Sequence, residues 1–290
     1  MIYFVVDSCF MNPSEKPRVA YQGVPGAFSE QASLQFAAEG EAVGFHSFEE
    51  AFRATVQGEC DFACLPVENS LAGSINQTYD LLTDSVLHVV GEQIVRVHHN
   101  LMVQPGVKLS EIQRVYSHPQ ALAQCQAFLV KHGLIGVTDF DTAGAAKLLS
   151  EEGGAGRAAI ASKRAAEVYG LDILAESIED KDFNYTRFFI LGADEAKRTG
   201  NKHKSSLVLA TRHRPGDLVA CLQELKGINM TKLESRPRRD KPWSYLFYID
   251  LEGHIEDESV QRAMTGLMRK AAFVKFLGSY EAAPQVAEVA

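Results

Sequence analysis

The sequence lacks the long apolar run that a membrane helix needs. Met1 to Val6 is apolar, but it has no basic flank and stops at Asp7, too short for a signal core or a bilayer span. Cysteine is sparse. Cys9, Cys60, Cys64, Cys125 and Cys221 form an odd, widely spaced set with no two-residue interval, which argues against a disulfide framework or a zinc site and predicts reduced, buried thiols in a cytoplasmic protein. An excess of positive charge is also missing. Lys and Arg number 29 against 37 Asp and Glu, so the net charge of −8 offers no global field for nucleic acid or an anionic membrane. The densest basic stretch, Lys197, Arg198, Lys202 and Lys204, lies in a polar segment that reads as a solvated linker. Nor is this the composition of a disordered chain: 46% hydrophobic and 23% charged residues suit a folded globular protein.

The 290 residues exceed what one hydrophobic core usually serves, so two or three compact units are expected. Residues 1–17 read as an N-terminal extension. From Arg18 onward, short strands alternate with helices: Val19–Gln22 before Glu30–Ala38, Val43–Phe45 before Phe48–Thr55, Phe62–Leu65 before Ser74–Leu82, Val115–Tyr116 before Ala121–Lys131, Ile135–Val137 before Ala143–Ser150, and Ala159–Ala161 before Lys163–Tyr169. Such alternation predicts parallel α/β sheet. A long apolar run, Val89–Val103, crosses His98–His99, and a later strand, Arg187–Leu191, closes the region. A chain that crosses once and returns makes two lobes, about 18–97 plus 180–195 and 98–179, with a ligand cleft between them. The polar stretch Ala193–Lys204 is the best boundary in the chain. Beyond it, residues 204–281 carry the order β-α-β-β-α-β of a ferredoxin-like α+β unit, and residues 282–290 read as a tail.

Four segments place small or polar residues where strands end and helices begin, positions that present unpaired N–H groups. The first, Gly23–Glu30, offers Phe28, Ser29 as a helix cap, and glycines that permit close approach of a ligand. In the second, the strand stops at Pro66 and leaves Glu68, Asn69 and Ser70 together, with Gly73 just beyond. The third, Ser117–Cys125, offers Ser117 as an N-cap, His118 as a turn residue or base, and Gln120 and Gln124 four apart on one helical face. The fourth, Asp182–Leu191, sets Thr186 and Arg187 at the mouth of an apolar strand ahead of Phe188.

Together these segments resemble the signature stretches of the prephenate dehydratase family: a Pro-Val-Glu-Asn run, a Ser-His-Pro-Gln run and a Thr-Arg-Phe triplet, in that order, over about residues 18–192. The resemblance implies a two-lobed fold like that of periplasmic binding proteins, an α/β catalytic region over 18–195, and decarboxylative dehydration of prephenate to phenylpyruvate without metal, redox cofactor or covalent adduct. It also implies Thr186 nearest the chemistry, with Asn69, Gln124 and Ser117 beside it and Ser29, Glu68, Ser70, Gly73, His118 and Gln120 lining the substrate site. A threonine hydroxyl is a weak acid, so Thr186 suits hydrogen bonding to the leaving group or proton relay better than outright donation. Arg187 offers a counter-charge for a carboxylate or a partner for a nearby acid, and Phe28 and Phe188 serve either a dry cleft or the core.

The C-terminal unit resembles the ACT regulatory domain of that family. Glu234-Ser235-Arg236-Pro237 corresponds to a phenylalanine-binding motif between paired domains, which implies a homodimer or homotetramer. The companion segment, usually Gly-Ala-Leu-Val, reads Gly216-Asp217-Leu218-Val219 here, setting a carboxylate beside the effector site or simply in a first helical turn. Arogenate as substrate, and a non-catalytic small-molecule sensor, stand as alternatives.

Overall fold

The computed structural model describes residues 16–212, 214–238 and 241–284. Residues 1–15 of the expected extension and 285–290 of the expected tail lie outside the described residues.

In chain order the first elements are β1 (Arg18–Gln22), α1 (Phe28–Phe36), β2 (Glu41–Phe45), α2 (Phe48–Val56), β3 (Phe62–Asn69), β4 (Gly73–Ser74), α3 (Asn76–Thr83) and β5 (His88–Arg96). Next come β6 (Asn100–Val103), β7 (Arg114–Ser117), α4 (Pro119–Gln124), α5 (Gln126–His132), β8 (Ile135–Thr138), α6 (Thr142–Glu152), β9 (Arg157–Ala161), α7 (Lys163–Tyr169) and β10 (Asp172–Ala175), before β11 (Tyr185–Gly192). Local chemistry sets many of these ends. Ser47, Asp141 and Ser162 each accept a backbone N–H at the start of α2, α6 and α7, which satisfies a donor that the helix leaves orphaned.

The first sheet has the order β2-β1-β3-β11-β5, with β4 paired to β3; the second has the order β10-β6-β9-β7-β8. Both are mixed, a correction to the all-parallel expectation. β11 returns from the second sheet and enters between β3 and β5 antiparallel to both, and β6 runs antiparallel to β9 and β10. The apolar run 89–103 is likewise two strands in two sheets. It breaks at Val97–His99, where the outgoing chain bonds the returning one: Val97 N–H to the Asn184 carbonyl, and the His99 carbonyl to Ile178 N–H. The helix expected over 121–131 is interrupted at Cys125, which caps α4 and opens α5.

The two sheets meet closely at Gly26. Ser162 Oγ donates to the Gly26 carbonyl at 2.6 Å and Tyr169 OH to the Pro25 carbonyl at 2.7 Å. Gly26 has φ +91°, and a Cβ there would stand 2.7 Å from Ala165 Cα, so both backbone angle and space demand glycine.

The C-terminal elements are β12 (His203–Ala210), α8 (Asp217–Gln223), β13 (Met230–Pro237), β14 (Tyr245–Glu252), α9 (Glu258–Lys270) and β15 (Phe273–Glu281). Their antiparallel sheet runs β13-β14-β12-β15. Strand alternation splits its side chains between two cores. Leu207, Leu209, Ile249 and Leu251 pack on Val260, Met264 and Leu267 of α9. Val208, Tyr248, Leu277 and Tyr280 join Leu65, Val67, Val89 and Phe189 of the first sheet in one continuous cluster. The four described cysteines, Cys60, Cys64, Cys125 and Cys221, are free and buried.

Candidate functional site

β3 is apolar until its last two residues, and alternation turns them apart: Asn69 is buried, whereas Glu68 faces the C-terminal sheet, with Oε1 3.1 Å from Lys232 Nζ. Antiparallel register sets Thr186 of β11 opposite Asn69. The two hydrogens of Asn69 Nδ2 are shared among three acceptors, Thr186 Oγ1 at 3.1 Å, the Tyr185 carbonyl at 3.1 Å and Asn184 Oδ1 at 2.8 Å. Its Oδ1 accepts from the backbone N–H groups of Leu71 and Ala72 at 3.1 and 2.9 Å.

From the second sheet's side, α4 brings in Gln124. Its Oε1 accepts from Asn184 Nδ2 at 2.9 Å and lies 2.8 Å from His99 Nε2. Gln120, one turn earlier on the same helix, points Nε2 at Asn69 Oδ1 across 3.5 Å. One hydrogen-bonded network thus gathers Asn69, Thr186, Gln124 and Gln120 from distant stretches of chain. Burial pushes the His99 pKa down from 6.5, against the opposing bond to Gln124 and the charge of Glu179, so the ring is neutral.

Other residues singled out in the sequence take the following places. Ser29 is no helix cap: α1 starts at Phe28 on an Ala27 N-cap without a side-chain bond, and Ser29 is buried in its first turn. Ser117 does not cap α4 either; its Oγ donates to the Ile160 carbonyl at 2.6 Å, and His118 Nδ1 accepts the Gln120 N–H instead. Ser70 bonds both the Phe183 carbonyl and the Tyr185 N–H, stapling the start of β11, while Gly73 takes φ +82° at the β3–β4 turn. Phe188 is core, packed with Val19, Val95 and Ile190. Phe28 flanks that cluster and meets the His99 ring edge-on at 6.1 Å.

Of the two readings of Arg187, the structure shows the pairing with nearby acids. Arg187 alternates away from Thr186 and donates to Glu92 Oε2 at 2.6 Å, Asp250 Oδ2 at 2.5 Å and Tyr280 OH at 3.0 Å. Burial opposes its charge, but Asp250, Tyr280 and Glu92 hold its pKa well above the ordinary value. Its guanidinium is engaged by these three partners. Basic residues that do line space between the lobes were missed in the sequence: Arg96, Lys163 and Arg164, with His98, Phe28, Ser162 and the acid Glu167, surround a cavity of about 490 Å³.

Asn184 and His99 were missed as well. Asn184 looks like any loop asparagine until its neighbours are known, although its 1% exposure marks it as unusual. The only sequence signal for His99 was a histidine pair inside an apolar run.

In the C-terminal unit, Gly216 (φ +83°) caps α8, and Asp217, Leu218 and Val219 form its first turn. One carboxylate oxygen of Asp217 is buried with no hydrogen-bond partner among the described residues. Glu234 Oε2 accepts from Ser74 Oγ at 3.1 Å, and Arg236 forms a two-pronged pair with Asp80 at 2.5 and 2.6 Å; Ser235 and Pro237 are exposed. Among the described residues, no group of three or more His, Cys, Asp or Glu is placed to hold a metal ion, and no helix is long and apolar enough to cross a membrane.

The central cluster is chemically suited to presenting hydrogen-bond donors. Thr186 Oγ1 accepts from Asn69, which leaves its own proton for another acceptor. Among the described residues Gln124 bonds only through its oxygen, so its amide N–H groups are likewise available.

The family model described as prephenate dehydratase matches residues 19–196. The chain is 44% identical over 275 residues to arogenate dehydratase/prephenate dehydratase 2, chloroplastic, of Arabidopsis thaliana, covering 91% of this chain and 72% of that protein. Among solved structures it is similar to GqqA, described as a novel type of quorum quenching acylase, with TM-score 0.85, 36% identity, and coverage of 92% of this chain and 98% of that one. It is also similar to the prephenate dehydratase from Arthrobacter aurescens in complex with L-Phe, with TM-score 0.82, 33% identity, and coverage of 91% and 89%.

Proposed function

Because the chain belongs to the prephenate dehydratase family, whose members are hydro-lyases, we propose that it converts prephenate to phenylpyruvate, carbon dioxide and water under feedback by phenylalanine. The observation that carries this reading is the Asn69–Thr186 hydrogen bond, in which Thr186 accepts and so keeps its own proton for a guest at the half-buried junction between the lobes. In the reaction the ring carboxylate departs as carbon dioxide, and its bonding electrons enter the ring. Those electrons break the ring C–O bond, the departing hydroxide takes up a proton from solvent to become water, and aromatisation drives the sequence. Thr186 hydrogen-bonds the departing oxygen as negative charge grows on it, and Gln124 offers its amide N–H groups to the same guest. Both are fixed before the substrate arrives, so little reorganisation accompanies bond breaking.

Prephenate is a dicarboxylate, and Arg187 is committed elsewhere. Lys163 and Arg164, at the cavity that Phe28 also lines, supply the attraction for carboxylates in this reading, because their pairs with Glu176, Glu30 and Glu167 at 3.7–3.8 Å are longer and more exposed than those of Arg187 with Glu92 and Asp250. Phe28 limits water there, which weakens solvation of the carboxylate that is lost. Ser117 acts only by supporting the strand that leads into α4.

Residues 18–195 are read as the catalytic region and 204–281 as an ACT regulatory domain. The contacts of Glu234 and Arg236 with Ser74 and Asp80 would carry an effector signal to the β3–α3 region. Acylase activity, the description given for one structural relative, finds less support: Ser177 Oγ lies 3.2 Å from His98 Nδ1, but Glu179 Oε1 competes for that nitrogen at the shorter distance of 2.8 Å.

The test is incubation of the purified protein with prephenate, or separately with arogenate, without added cofactor. Phenylpyruvate from prephenate at the higher kcat/KM supports the proposal. A preference for arogenate moves the assignment to that substrate. Binding without turnover of either leaves a sensor and removes the enzyme.

A further inference from the structure

The amide groups around Thr186 are not only close together; they share a direction, and that direction has one source. Asn69 Oδ1 faces the backbone N–H groups of Leu71 and Ala72, which only donate. Asn69 Nδ2 must therefore be the donor toward the Tyr185 carbonyl, which only accepts, and toward Thr186 Oγ1 and Asn184. Asn184 consequently offers Oδ1 to Asn69 and Nδ2 to Gln124. Gln124 receives it with Oε1, and the same oxygen obliges His99 Nε2 to carry the ring proton. His99 Nδ1 is then a bare lone pair, buried and without a hydrogen-bond partner among the described residues.

We infer that Asn184 is a positioning residue for the dehydration reaction: it transmits the donor direction fixed by the Leu71 and Ala72 backbone to Gln124, so that the Gln124 amide nitrogen rather than its oxygen is turned toward substrate. This inference rests on the proposed function for its catalytic consequence, but not for its geometry. A glutamine free to turn over would present an oxygen lone pair to a carboxylate or departing hydroxide half the time. That contact is repulsive, and the reversal is what Asn184 prevents. Asn184 is suited to the task because it is 1% exposed, bonds both flanking amides, and has its backbone carbonyl held by Val97 N–H.

The diagnostic variant is Asn184→Asp. It keeps the shape and still accepts from Asn69, but it offers no proton to Gln124. Gln124 then turns over, donates to the introduced carboxylate in place of accepting, and shows its second amide proton to His99 Nε2, which must release its own proton to Nδ1. Nitrogen NMR of histidine-labelled protein reads this directly: the wild type shows His99 protonated at Nε2, and Asn184→Asp shows it protonated at Nδ1. In parallel, kcat/KM for prephenate falls by about 100-fold, the loss expected when an oriented donor is removed from the reacting groups, with circular dichroism unchanged.

Asn184→Ala, which adds no charge, covers the case in which the aspartate variant does not fold. It leaves Gln124 held only by His99 and lowers kcat/KM by about tenfold or more. An Nδ1-protonated His99 in the wild type overturns the inference at once, as does a folded Asn184→Asp that retains both the wild-type tautomer and wild-type turnover. If the wild type turns over neither prephenate nor arogenate, the tautomer measurements still decide the donor direction, so failure of the enzymatic reading and failure of this inference remain distinguishable.

Discussion

Arg187 Nη1 meets Asp250 Oδ2 at 2.5 Å, joining the strand that carries Thr186 directly to the second strand of the C-terminal sheet. Glu92 completes the junction by accepting from Arg187 Nε and Lys204 Nζ, and Tyr280 by accepting from Arg187 Nη2. Removing one partner of a buried pair strands the other charge in a medium that cannot solvate it, at a cost of about 3–5 kcal/mol. Asp250→Ala is therefore expected to destabilise the whole molecule, and Arg187→Ala with it. A double-mutant cycle measured by chemical denaturation checks this, with the double variant less damaged than the sum of the two singles.

Thr186→Ala removes the hydroxyl but leaves the Asn69 amide bonded to Asn184 and the Tyr185 carbonyl. Turnover is expected to fall by about 10²–10³-fold, while thermal stability changes little. Thr186→Ser keeps the hydroxyl and should retain a substantial part of the rate. Phenylpyruvate formation, followed alongside the melting temperature, separates the two effects.

Gly26→Ala tests the contact between the lobes. The new methyl group would meet Ala165 Cα at 2.7 Å in a residue already at φ +91°. Strain of this kind costs about 1–3 kcal/mol, and relief by separation of the lobes would weaken the Ser162–Gly26 and Tyr169–Pro25 bonds. Lower stability and a raised KM for substrate are the expected pair of results in denaturation and steady-state assays.

Acid should weaken the fold through His99. Burial depresses its folded pKa below 6.5, and His254 is shifted the same way by burial. Between the depressed value and 6.5 the unfolded chain binds more protons than the folded one, so stability rises with pH in that window and is lost as pH falls below 6.5. Each histidine contributes at most about 1.4 kcal/mol per pH unit. Denaturation curves over that range should show the slope, and His99→Asn should reduce it.

Asp80→Asn tests the proposed effector route. It removes the charge that Arg236 grips with two bonds, so the phenylalanine concentration needed for half-inhibition should shift severalfold while KM for prephenate stays near the wild-type value. An unchanged phenylalanine response places the signal on the Arg187–Asp250 junction instead.

Sequence alone determined which elements form and roughly where, because side-chain period, capping residues and turn glycines act over a few neighbouring positions; β1, α2, β9 and β15 were legible for this reason. It also marked Asn69, Gln124 and Thr186, because polar residues that end apolar strands or face one side of a short helix stand out against their surroundings. Only the tertiary structure decided strand direction in the two mixed sheets, since β11 finds its place between β3 and β5 through long-range pairing that no local pattern encodes. The same limit applied to the side chains. Thr186 and Arg187 are adjacent in the chain, yet alternation of the strand sends one toward the network at Asn69 and the other to Asp250, and which face is which depends on what packs against each. Asn184 and His99 acquired their places in the same way, because Gln124, which both of them bond, is remote from each in the chain and comes within reach only once the backbone has folded.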